Sequence, residues 1–156
     1  MGIQSEGTIV IIGNVNTFKP MEDIMAKNSK PNEPIVTHIY TADPSAHVFE
    51  GKLYIYPSHD LDHDEPSNDN GDQYKMEDYH VLSMDEAGGP VVDHGEVLHL
   101  KDIPWASKQL WAPDAAYKNN TYYLFFPARD KDGIFRLGVA TSDKPAGPFK
   151  AEENYI

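Results

Sequence analysis

From Ile35 onward, short β-branched and aromatic runs alternate with clusters of Gly, Pro, Asn and Asp. That texture predicts short strands separated by tight turns. Val48-Phe49 leads through Glu50-Gly51 into Lys52-Leu53-Tyr54-Ile55-Tyr56, and Tyr117 leads through Lys118-Asn119-Asn120 into Thr121-Tyr122-Tyr123-Leu124-Phe125-Phe126. Each is an apolar run, a tight turn and an aromatic run, the pattern of a hairpin. Tyr79–Ser83 and Phe135–Ala140 read as further strands. Before Ile35 the pattern is mixed. Thr8–Ile12 predicts a short buried strand, and Pro20–Lys27 two turns of helix with Pro at its first position. Residues 28–34 have the composition of a linker. The reading is an extension of unclear role over 1–33, followed by a nearly all-β region over 34–156.

That region repeats. Leu53-Tyr54-Ile55-Tyr56-Pro57-Ser58-His59-Asp60 matches Tyr123-Leu124-Phe125-Phe126-Pro127-Ala128-Arg129-Asp130 seventy positions later, and Asp43 matches Asp114 at seventy-one. Val81–Asp85 matches Val139–Asp143, and Gly89-Pro90-Val91 matches Gly147-Pro148-Phe149, both at fifty-eight. The difference is the acidic stretch Asp60–Lys75, present only in the first copy. Units this thin cannot bury their own faces, so they must stack. A β-propeller, normally of about 4–8 blades, is the natural closed form; a two-sheet sandwich is the alternative. On the propeller reading this chain holds about two blades, with the second copy's outermost strand expected to begin near Ile156.

Composition narrows the partners. The 156 residues carry 13 Lys and Arg against 25 Asp and Glu, a formal net charge of −12. A chain this acidic offers no general basic field for nucleic acid or an anionic membrane. With no Cys, disulfides, thiolate metal sites and Cys nucleophiles are excluded. No apolar run approaches the roughly 20 residues of a membrane-spanning helix, and no signal peptide is recognisable.

Two acids stand out, Asp43 in Thr41-Ala42-Asp43-Pro44-Ser45 and Asp114 in Trp111-Ala112-Pro113-Asp114-Ala115. Each is expected to open the first strand of its repeat, which in a propeller lines the central axis. Carboxylates gathered there would have their pKa values pushed apart. Asp-Pro and Pro-Asp are also ordinary turn formers. Trp111 suits either a platform for a sugar face or a core aromatic. His59-Asp60 suits either sugar contact or capping at a strand exit. Arg129, the matching residue of the second copy, is expected to pair with a carboxylate, and Trp105 to serve packing.

Asp43-Pro44-Ser45, Val48 through Asp60 and Trp111-Ala112-Pro113-Asp114-Ala115-Ala116-Tyr117 together resemble glycoside hydrolase family 43, which holds β-xylosidases, α-L-arabinofuranosidases and arabinanases. The resemblance spans about residues 34–156. It implies a five-bladed β-propeller and hydrolysis of xylosyl or arabinosyl linkages with inversion. It implies Asp43 as general base and Asp114 as the carboxylate that tunes the acid's pKa. Trp111, His59, Asp60 and Arg129 become substrate-binding candidates. The family's third group, a Glu acid, has no counterpart here: Glu77, Glu86 and Glu96 fall on outer strands or connections. The chain is therefore expected to turn over little alone, and to self-associate or pair with a complementary chain. A carbohydrate-binding or bare assembly module is the alternative. The resemblance favours a periplasmic or secreted location. No cofactor is implied; Asn68, Asn70, Gly71 and Glu77 form part of a calcium-loop pattern, but Pro66 stands where its first ligand belongs. A solvated acidic loop is the expected state.

Overall fold

The computed structural model describes residues 33–156. The strand predicted at 8–12, the helix at 20–27 and most of the linker and extension lie outside the described residues. Among the described residues, every regular element except one 3-10 turn (Leu100–Asp102) is a strand.

The first sheet comprises β1 (Tyr40–Phe49), β2 (Lys52–Asp60), β3 (Asp78–Met84) and β4 (Val92–His99), paired antiparallel in chain order. The second contains β5 (Ala106–Lys108), β6 (Asp114–Lys118), β7 (Thr121–Asp130), β8 (Phe135–Ser142) and β9 (Lys150–Ala151). Here β5 and β6 share one edge of β7, while β8 and β9 follow in order on the other. Both predicted hairpins form, with Glu50, Asn119 and Asn120 at positive φ, as tight two-residue hairpin turns require.

Each sheet is thus a sequential meander, and the two pack face to face. These are two blades of a β-propeller rather than a Greek-key sandwich. The seam follows from period-two alternation. Tyr122, Leu124, Phe126 and Ala128 of β7 are buried and meet Tyr54 and Tyr56 of β2 and Tyr79 and Val81 of β3 in one cluster. Tyr79 and Phe126 lie 5.8 Å apart between ring centroids. Burying each large side chain is worth about 1.5–3 kcal/mol. Polar tips are satisfied across the seam: the Tyr56 hydroxyl donates to the Pro145 carbonyl at 2.7 Å, and that of Tyr122 to Glu50 at 2.9 Å. Burial first, then the Glu50 carboxylate, pushes the Tyr122 phenol up to about 12.

Three expectations need correction. Asp43 does not open β1; it lies inside it, at a bulge between Ala42 and Ser45 with φ 46°. The second blade's outermost strand begins at Lys150, immediately after Pro148-Phe149. Tyr56 and Phe126, aligned by the seventy-residue offset, both lie in the buried cluster between the two sheets. Blades related by rotation would carry equivalent side chains in the same sense around the ring. The sequence match is therefore out of facing, and one residue of slip is enough to cause that.

Candidate active site

β1 and β6 are the neighbouring inner strands of the two blades, and both aspartates sit along their boundary. The bulge in β1 turns Asp43 into a cavity of about 220 Å³ shared with Ala42, Asp60, Tyr74, Met76 and Trp111. That is smaller than the roughly 300–1,000 Å³ of a complete small-molecule site, as suits one wall of one. Asp60 reaches it from the end of β2, whose Tyr40–Asp60 pairing brings it beside the start of β1. Burial, and then the charge of Asp43, raises the Asp60 pKa above its ordinary value.

Asp114 lies outside that cavity's lining. It opens β6 opposite Phe125 and accepts from His47 Nε2 at 2.7 Å and from the Ala115 amide at 2.9 Å. Partial burial opposes its ionisation. The bonds from His47 and Ala115, with Ser45 beside them, outweigh that and leave its pKa below the ordinary carboxylate value. His47 is itself fixed by stacking on Phe49, 5.5 Å between centroids.

The other candidates separate. Trp111 lines the cavity and also packs against the core, with Phe135 at 4.4 Å and Tyr74 at 6.1 Å between ring centroids. Its indole N–H is buried without a partner. Arg129 donates to the Asn70 carbonyl at 2.6 Å and lies over Phe135 at 4.8 Å. Its expected carboxylate partner is thus replaced by a backbone oxygen of the acidic loop, although its charge helps to lower the Asp72 pKa after the Lys108 and Asn68 hydrogen bonds. His59 does not line the cavity; its ring meets Asp78 at 2.5 Å. Trp105 stacks on Phe126 at 6.1 Å with the rings nearly parallel. Glu77 precedes β3, Glu86 lies in the β3–β4 turn and Glu96 is in β4, all away from the inner strands.

The acidic loop is ordered by its own polar groups. Asn68 Oδ1 accepts from the Asn70 amide at 2.9 Å, and its Nδ2 donates to Asp72 at 2.9 Å. Lys108 then caps Asp72.

Sequence reasoning missed His47, Tyr74 and Met76. For His47 a signal existed, because it shares the inner strand with Asp43. Tyr74 and Met76 enter through the loop's fold, which no periodicity reports.

With this geometry in place, the likeness to known proteins becomes specific. A sequence profile of glycosyl hydrolases family 43 matches residues 93–156. The chain is 70% identical over 125 residues to xylosidase/arabinosidase 43A of Humicola insolens, covering 79% of this chain and 38% of that protein. It is 57% identical over 116 residues to a xylosidase/arabinosidase of Bacteroides ovatus, covering 74% and 36%. Among solved structures, a family 43 β-xylosidase/α-arabinofuranosidase from a compost microbial metagenome, in complex with xylotriose, superposes with TM-score 0.78 at 68% identity, over 80% of this chain and 38% of that one. The chain thus spans little more than a third of the length of these relatives.

Proposed function

We propose, on the premise that this chain belongs to glycoside hydrolase family 43, that it carries the base side of an inverting glycosidase site acting on xylosyl or arabinosyl linkages of plant polysaccharides. The observation that carries the reading is the cavity joining Asp43, Asp60 and Trp111 on the inner edge of the first blade. Asp43 is the general base, taking a proton from the water that attacks the anomeric carbon. Asp60 stands beside it in the same cavity, its own carboxyl pKa raised by burial and by the Asp43 charge. Trp111 supplies an apolar wall for a sugar face. Asp114, held ionised by His47, is the carboxylate that orients and tunes a proton donor. That donor is a Glu that none of Glu77, Glu86 and Glu96 is placed to supply. Inversion requires donor and base to stand about 6.5–9.5 Å apart, leaving room for the water. Without such a donor among the described residues, the leaving group would depart as an alkoxide, at a cost of about 10²–10⁴ in rate. In the same reading a further blade, from a second copy or a complementary chain, packs on the face of β7 and β8 that carries Phe125 and the exposed Leu137.

The test joins this chain to the remaining length of the Humicola insolens relative. The hybrid is expected to hydrolyse aryl β-xylosides or α-L-arabinofuranosides, and Asp43→Ala to lower kcat by about 10²–10⁴. Retention of activity within tenfold in the Asp43→Ala hybrid would overturn the assignment of the base.

A further inference from the structure

Behind the cavity, on the face of the first blade turned away from the seam, histidines and aspartates alternate in an unbroken chain. His59 Nδ1 lies 2.5 Å from Asp78 Oδ1, and His80 Nε2 lies 3.9 Å from Asp78 Oδ2. His80 Nδ1 faces Asp93 at 3.0 Å, and Asp93 is also met by His38 at 2.7 Å and by the Gly95 amide at 2.8 Å. We infer that His59, Asp78 and His80 form a binding site for a zinc-like divalent cation that clasps the neck of the acidic loop.

The ligand set is the first argument. One donor atom from each of the three residues lies within 4.8 Å of the others, so a single ion between them is reached by small side-chain adjustments. Two imidazoles and a carboxylate suit zinc and its neighbours; calcium prefers an all-oxygen set.

The orientation of His80 is the second. With Nδ1 donating to Asp93, Nε2 is left with its lone pair directed toward the Asp78 carboxylate. A metal-bound histidine characteristically gives its other ring N–H to a carboxylate, which fixes the tautomer. Asp93 is held in place to receive that hydrogen bond by the His38 ring at 2.7 Å and the Gly95 amide at 2.8 Å.

Placement is the third. His59 is the penultimate residue of β2 and Asp78 the first of β3. The acidic loop leaves and returns between them, carrying Tyr74 and Met76 into the cavity wall. All three side chains are only 13–14% exposed, so an ion held there would be shielded yet reachable. Binding it would tie the two strand ends and restrict the opening of the loop.

Isothermal titration of the chelator-treated chain, free of any affinity tag, with zinc chloride tests the site. One equivalent is expected to bind, with calcium failing to compete. His59→Gln and His80→Gln are each expected to weaken binding at least tenfold, and Asp93→Asn about 10–100-fold through the supporting hydrogen bond. Bound zinc is also expected to slow protease cleavage within residues 61–77. Should a variant fail to fold, cobalt titration of the unaltered chain decides: NMR broadening confined to His59, His80 and neighbouring His38 supports the site. Absence of saturable binding, or broadening centred on His63, His94 or His99, overturns it.

Discussion

The two blades solve the same problem at their inner edge in different ways. In the first, β1 runs unbroken for ten residues and accommodates Asp43 in a bulge. In the second, the inner edge is broken: β5 ends at Lys108, β6 begins at Asp114, and Gln109 between them takes φ 64°. The break has a use. Gln109 donates to the Gly71 carbonyl at 2.7 Å, the Leu110 amide to the Met76 carbonyl at 3.0 Å, and Trp111 lies against Gly71. Lys108 caps Asp72. The second blade's interruption therefore grips the loop that only the first blade possesses. A difference in length between repeats becomes a connection between them, and one wall of the cavity depends on it.

The grip can be broken at Gly71. A Cβ there would lie 2.9 Å from the Trp111 ring, and its φ of 72° is costly for any L side chain. Gly71→Ala is expected to cost roughly 2–4 kcal/mol, appearing in limited proteolysis as cleavage of the loop before the sheets unfold. Cleavage only after global unfolding would show that the loop is not held this way.

A control leaves the grip intact and strikes the second blade elsewhere. A Cβ on Gly138 would stand 2.5 Å from the Phe126 ring and 2.6 Å from Trp105. Gly138→Ala is expected to cost about 1–3 kcal/mol by overpacking, read as a lower urea midpoint in one cooperative transition without early loop cleavage.

The smallest effect sharpens the comparison from the first blade's side. Because Asp60 has a raised carboxyl pKa in the folded chain, its contribution to stability is complete below the unfolded value near 3.9. That contribution is lost as pH rises through the folded value. At neutral pH the ionised group therefore weakens the fold. Asp60→Asn is expected to gain roughly 0.5 kcal/mol at pH 7 after solvent screening, with the gain vanishing below about pH 4. Thermal melts across that range measure it; a gain that persists in acid would point to packing instead.

Much of this organisation was legible in the sequence. The two hairpins, β3 and β8 follow from local turn chemistry and alternation, and the repeat announced two blades. What escaped depends on register. The Asp43 bulge displaces it from the strand's start, and the facing of Tyr56 and Phe126 turns on a single residue of slip that residue similarity cannot detect. β5 and β9 are too short to leave a periodic trace. At the site, Asp43 could be named from the repeat and the family likeness, Trp111 from its place three residues before Asp114, and Asp60 from its place at the exit of a strand. Separating His59 from its neighbour Asp60 required knowing that successive strand residues face opposite ways, and which face is which.

The Tyr56–Pro145 bond joins residues 89 positions apart, while β1 and β2 meet across a turn of two residues. Closing so long a stretch of chain is entropically slow compared with zipping a hairpin. The meanders are thus expected to form early and to join late, with the rate-limiting barrier in their docking. Substitutions at Tyr56 should accordingly speed unfolding far more than they slow refolding.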